Sequence, residues 1–177
     1  MSKKGKIKNG NNKAKHTKLL NQKKNKIRDE KMLNKQRLKA LVVKSNLYKG
    51  FCPCGSNYTY AKCCAVAHNN ISDITTSEQL MRSRYTAFVL NNIDYLMDSH
   101  HSSTRPIKEK DDILNWTKSV KWLRLEILNT SKITSGNHIE TVEFKAYFEE
   151  DNKECLIHEN SEFVIENNHW VYLGEVS

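Results

Sequence analysis

Four cysteines packed into thirteen residues constrain this chain more than any other feature. The stretch reads C-P-C-G-S-N-Y-T-Y-A-K-C-C from Cys52 to Cys64 and holds four of the five cysteines in the sequence. Cys52 and Cys54 lie one residue apart, and Cys63 and Cys64 are adjacent. Four thiolates gathered this tightly suit a tetrahedral Zn²⁺ with Zn–S bonds of about 2.3 Å. Gly55 and Asn57 tolerate the left-handed backbone that lets a short loop fold around a metal. Lys62 sets a positive charge beside a site that carries about two net negative charges once four thiolates hold one Zn²⁺. The competing readings are a pair of disulfides or four unrelated buried thiols. Adjacent cysteines rarely bridge each other and nothing in the sequence signals secretion, so metal is favoured.

The expected cofactor is therefore a structural zinc on Cys52, Cys54, Cys63 and Cys64, because four cysteines leave no open position for water. His68 lies four residues beyond Cys64 and could replace a cysteine. The simpler expectation is a loop histidine left in solvent.

Charge divides the chain. Residues 1–50 hold 17 lysines and arginines against 2 acids, whereas 51–177 hold 12 against 18, so the formal +9 belongs to the N-terminal arm. No run of 18 apolar residues occurs, which argues against a membrane span. The first residues lack the apolar core of a secretory signal, and clustered cysteines fit a reducing cytoplasm. Residues 1–26 carry almost nothing apolar, a composition expected to stay disordered. Over 27–44, Ile27, Met32, Leu33, Leu38, Leu41 and Val42 recur at helical spacing among Lys35, Arg37 and Lys39, predicting a basic helix with a thin apolar stripe. Such an arm neutralises phosphates without reading sequence. Aromatic residues for base stacking are missing before Tyr48, which argues against a single-strand reader. A solvated, solubilising tail remains the other reading.

Beyond the cysteines, Ala65–Asp73 reads as a linker. T-T-S-E then opens a helix, with Thr75 as cap and Glu78 completing a capping box. From Ser77 to Asn91 the apolar positions Leu80, Met81, Tyr85, Phe88 and Val89 fall on one face. Asn91-Asn92 breaks the helix, Ile93–Ser99 forms a second, and Asp111–Lys118 is a third candidate. The texture then changes to strands: Trp122–Leu128, Ile139–Phe148, Cys155–Ile165 and His169–Leu173. Turns at Ser135-Gly136-Asn137, Glu149–Lys153 and Asn167-Asn168 separate them. Val142, Phe144, Ala146 and Phe148 share one strand face at period two. Helices followed by an antiparallel meander make an α+β domain with helices on one sheet face.

The cysteine stretch resembles the SEC-C zinc motif in Cys52, Pro53, Cys54, Gly55, Ser56, Tyr60, Lys62, Cys63 and Cys64. It departs at Asn57 and Tyr58, neither of which is a ligand. Downstream, M-R-S-R-Y-T-A-F (Met81–Phe88), S-T-R-P (Ser103–Pro106), V-E-F-K-A (Val142–Ala146), H-E-N-S-E-F (His158–Phe163) and W-V-Y (Trp170–Tyr172) resemble the YchJ-like family. The resemblance implies a nuclear transport factor 2-like fold, a curved sheet wrapped by helices into a cone with an internal cavity. The chain then divides into a basic arm (1–49), a zinc motif (50–70) and the cone domain (74–177). SEC-C motifs in the bacterial translocation motor contact the export chaperone and ribosomes. A partner-binding or adaptor role is thus implied, with ribosome, nucleic acid or a chaperone as partner through arm and zinc motif. A homodimer through the sheet is a further implication, and no reaction carries over.

Folds of this kind also include hydrolases and isomerases, so the polar residues need weighing. His101, Arg105, His158 and Glu159 are the candidates, since histidine with a carboxylate can serve as general base and arginine can hold an anion. His158 and Glu159 are strand neighbours and point to opposite faces. Glu159 shares its face with Ile157, Ser161 and Phe163, so Glu159 and Ser161 are placed inward. Arg82 and Arg84 on the motif helix are positioned to pair with such a carboxylate, as structural ion pairs rather than catalytic groups. Ser103, Thr104 and Arg105 fix a loop. The candidate pocket is Arg82, Arg84, Arg105, Glu159 and Ser161. Trp116, Trp122 and Trp170 form core or cavity wall, and Cys155 is a small buried hydrophobe. No Ser-His-Asp order or phosphate-cradling loop stands out, so catalysis is the lesser reading.

Overall fold

The computed structural model describes residues 18, 20–32, 50–133 and 139–176. The chain splits into two compact units, Met1–Val43 and Lys44–Ser177. In the first, residues 20–32 form a helix, α1, whose side chains are all exposed. Disorder expected over 20–26 is corrected. Leu, Lys, Gln and Arg are good helix formers, so local propensity favours helix over this exposed segment. The rest of the expected 27–44 helix, and most of residues 1–19, lie outside the described residues.

The second unit opens with the cysteine loop. An isolated bridge between Phe51 and Thr59 closes it, Gly55 and Asn57 take φ of 76° and 62°, and a 3-10 turn follows at Tyr60–Lys62. The expected linker over Ala65–Asp73 is corrected: Cys64–Asn69 is a helix, α2, and Ile71–Asp73 a 3-10 turn. Its alanines explain the difference. Ala65 and Ala67 are buried and let α2 pack closely on the next helix.

That helix, α3 (Ser77–Val89), is capped by Thr76, whose hydroxyl accepts from the Gln79 amide at 3.2 Å. The capping signal therefore sits one residue later than Thr75 and Glu78. Glu78 instead pairs with Arg82 one turn on, at 2.8 Å. Leu80, Met81 and Tyr85 are buried, with Phe88 and Val89 packed against the same core. Asn91, at φ 53°, turns the chain into α4 (Ile93–Asp98), and α5 spans Lys110–Ser119. Among the described residues no helix is long and apolar enough to cross a membrane.

The sheet is a four-stranded antiparallel meander in sequence order: β1 (Lys121–Ile133), β2 (Ile139–Glu150), β3 (Lys153–Glu166) and β4 (His169–Glu175). Asp151-Asn152 and Asn167-Asn168 all adopt positive φ, as two-residue hairpin turns that match strand twist require. The turn expected at Ser135-Gly136-Asn137 lies outside the described residues. Val142, Phe144, Ala146 and Phe148 are buried on the inner face, where α3 packs on β1, β2 and β4. Helices on one face of an antiparallel sheet give the expected α+β fold.

At one end of that face, Trp122 packs against Tyr85, Phe88, Trp116 and Phe148 at centroid distances of 5.7, 5.3, 5.5 and 5.6 Å. These rings are core packing. Cys155 corrects its expectation: it is only half-buried on β3.

Candidate metal centre

The cysteine loop is held by Cys52 N–H donating to the Tyr58 carbonyl at 2.7 Å and Gly55 N–H donating to the Cys52 carbonyl at 3.2 Å. The second pair sits where the 3-10 turn ends and α2 begins, so Cys63 and Cys64 point back at the loop. All four sulfur atoms lie within 4.8 Å of one another. Cys54 Sγ is 3.6 Å from Cys63 Sγ, which is 3.9 Å from Cys64 Sγ. Four bonds of about 2.3 Å to one tetrahedral ion set sulfur–sulfur edges of about 3.8 Å. The cluster is therefore already sized for a metal. No two of the cysteines are bonded to each other, and all five are free.

Neighbouring hydroxyls support the sulfurs. Thr86, fully buried on α3, donates to Cys64 Sγ at 3.3 Å and stands 3.7 Å from Cys52 Sγ. Ser56 Oγ lies 3.1 Å from Cys63 Sγ. Arg82 Nη1 donates to the Cys54 carbonyl at 2.8 Å, tying the loop to α3. Thr86 escaped the sequence reading, because a lone threonine inside a helix gives no signal until its buried face is known.

Electrostatics point the same way. Hydrogen bonds from Cys52 and then Cys64 hold the Cys54 thiol far below the usual thiol range. That shared bond with Cys54 pushes Cys52 up to about 11, and bonds to Cys52 and Cys54, then burial, push Cys64 higher still. One negative charge is welcome in this space and further ones are not, unless a cation enters among the sulfurs.

His68 is neither solvent-exposed nor a ligand. It is 5% exposed, its Nδ1 lies 2.9 Å from the Tyr60 hydroxyl and its Nε2 lies 2.8 Å from the Ser83 carbonyl. A carbonyl only accepts, so Nε2 carries the proton and Nδ1 accepts from Tyr60. Both nitrogens are committed to joining α2, α3 and the loop. A cleft of about 360 Å³ opens beside Cys63, between Tyr58, Lys62, Val66, Ile74 and Arg82.

The remaining candidates are scattered. Arg82 faces the cysteine loop. Arg84 is buried on the other side of α3, where Nη1 donates to the Leu96 carbonyl at 3.0 Å and to Ser99 Oγ at 2.8 Å. Its guanidinium lies 4.6 Å from the Tyr172 ring centroid. Burial pulls its pKa down to about 10, so it stays cationic at neutral pH. The Tyr172 hydroxyl donates to Glu159 Oε1 at 3.0 Å, and Ser161 Oγ donates to the same oxygen. Tyr172, absent from the sequence-derived set, is thus the link between Arg84 and Glu159. Arg105 stands apart, its guanidinium donating to the His100 carbonyl at 3.2 and 2.8 Å. His101 holds Ser103 Oγ at 2.7 Å on a surface loop, with Glu166 3.6 Å away. His158 pairs with Glu143 at 2.8 Å and is exposed.

Comparison with known proteins gives a consistent picture. Residues 76–174 match the family described as YchJ, middle NTF2-like domain. A UPF0225 protein of Vibrio parahaemolyticus is 44% identical over 124 residues, covering 69% of this chain and 72% of the relative. A second, from Vibrio vulnificus, is 41% identical over 122 residues, with the same coverage of 69% and 72%. The solution structure of a SEC-C motif containing protein from Rhodopseudomonas palustris superposes with a TM-score of 0.61 at 31% identity, over 71% of this chain and 97% of that one. The crystal structure of another, from Psychrobacter arcticus, gives 0.63 at 29% identity, over 74% and 86%.

Proposed function

The chain belongs to the YchJ-like family of SEC-C motif proteins, and from that premise we propose that it is a zinc-stapled adaptor of the cytoplasm rather than an enzyme. Cys52, Cys54, Cys63 and Cys64 would hold the zinc. The observation that carries this reading is the closed cluster of four sulfurs within 4.8 Å, backed by Thr86 of α3. A four-thiolate site keeps no position for substrate or water, so zinc fixes shape and does no chemistry. What the staple fixes is a surface. Phe51 and Tyr58 stand 72% and 65% exposed on the loop, an aromatic display that a solvent-facing knuckle does not need for its own stability. The partners this reading supports are a ribosome, a nucleic acid or a chaperone, engaged through the arm and the zinc motif, and a homodimer through the sheet is compatible with it.

Metal removal tests the proposal. Replacing Cys54 with serine should abolish metal binding and loosen residues 50–70, while the sheet domain still folds. Affinity capture with and without residues 1–50, and with Cys54→Ser, should lose the same partners in the knuckle variant as in metal-stripped protein. One zinc per chain in Cys54→Ser protein would refute the ligand set.

The alternative is a small-molecule site on the inner sheet face, favoured by a single observation: the run Arg84–Tyr172–Glu159, buried at Arg84 and half-buried at Tyr172 and Glu159. Glu159→Gln that keeps the fold but loses a bound or converted small molecule would support it. The hydroxyl-imidazole-carboxylate group at Ser103, His101 and Glu166 is a weaker hydrolytic candidate. It sits on a surface loop where nothing excludes water.

A further inference from the structure

We propose that α1 is a duplex-DNA-binding helix that lies in the major groove and recognises charge rather than sequence. The inference rests on the adaptor reading and names one partner for the arm.

Helix α1 displays every side chain to solvent, including Leu20, Ile27 and Met32 at 44%, 52% and 57% exposure. At about 100° per residue, Lys23 and Lys26 fall on one flank with Glu30 between them, Lys24 and Arg28 fall on the other, and Lys31 stands about 20° from Leu20 beside the ridge. Leu20 and Ile27 lie between the two flanks. Asn21, Gln22, Asn25 and Asp29 occupy the back. Cations on two flanks with a narrow apolar ridge between them match a groove with phosphates on both walls. The major groove of B-form DNA is about 12 Å wide and admits an α-helix of about 10–12 Å diameter. The deep, narrow groove of A-form RNA does not.

Two apolar residues on the ridge are too few to bury in a lipid surface, which takes a broad apolar face. No arginine, asparagine or glutamine of α1 points along the ridge, so binding is through phosphates. Residues 1–50, with 17 cations against 2 acids, supply further charge of the same sign.

The test uses the full chain and fluorescence anisotropy on a 20-base-pair DNA duplex, an RNA duplex of the same sequence, and phosphatidylglycerol vesicles. Five phosphate contacts from α1 predict a log–log salt slope of about −4.5, or roughly a 500-fold loss of affinity between 50 and 200 mM salt. Shuffling the DNA sequence should leave affinity within about twofold. Reversing four charges, K23E/K24E/K26E/R28E, should cost at least about 100-fold at 50 mM salt, with helicity retained because glutamate is also a good helix former. Zinc content, read on the same samples, should be equal in the parent and the charge-reversal variant, so failure of the zinc reading and failure of this one are scored separately. Salt-insensitive binding, unchanged affinity in the charge-reversal variant, no DNA binding at 50 mM salt, or tighter binding to the RNA duplex or the vesicles overturns the assignment.

Discussion

Thr86 Oγ1 donates to Cys64 Sγ at 3.3 Å, and that bond brings helix α3 of the sheet domain directly onto the sulfurs. Metal-bound thiolates are held in place by such outer partners, whose loss costs about 10–100-fold in affinity. Thr86→Val keeps the shape and removes the hydroxyl. It should weaken zinc binding by that factor in competition with a chelating indicator, while the thermal transition of metal-loaded protein persists. Unchanged affinity would show that Thr86 packs against the cluster without supporting it.

His68 should prove structural. Its ring bonds Tyr60 and the Ser83 carbonyl and lies 4.4 Å, centroid to centroid, from the Tyr95 ring. His68→Ala opens a cavity and strands two buried polar groups, a loss of about 2–4 kcal/mol. Chemical denaturation should show that loss with one zinc per chain retained. Zinc loss at unchanged stability would make His68 a ligand after all.

His100 should make stability depend on pH. Burial, then the nearby Arg84 and Arg105, lower its pKa from 6.5 to about 4. Between those values the unfolded chain binds a proton that the folded chain does not. Its contribution is therefore complete above pH 6.5 and is lost as pH falls toward 4. Melting temperature should drop across that window in the parent and fall less in His100→Phe. Identical profiles would remove His100 from the account.

The cysteine cluster and the strands were legible in the sequence for the same reason: each is written in short-range spacing. Cys52 to Cys64 encode a cluster of four sulfurs, and Val142 to Phe148 encode a buried face at period two. The Asn-rich hairpin turns announce themselves through residues that accept positive φ. What lay hidden depended on packing. Residues 65–73 read as a linker because two alanines and a histidine carry little hydrophobic signal, yet Ala65, Ala67 and His68 are buried against α3. Thr86 and Tyr172 owe their roles to partners 22 and 13 residues away. The α3 cap moved by one residue because Thr75 and Thr76 offer equivalent hydroxyls, and only the backbone decides between them. Early residues of α1 were missed because disorder was argued from absent burial, without weighing the good helix formers Leu20, Gln22, Lys23 and Lys24.

Metal stoichiometry is the measurement closest to the central claim. Full-length protein, purified without added metal, should be weighed by mass spectrometry under native and denaturing conditions. The account predicts one zinc per chain in the native spectrum, lost on denaturation, with a denatured mass that shows five free thiols. A metal-free native mass, or a denatured mass lighter by two or four protons, would contradict it.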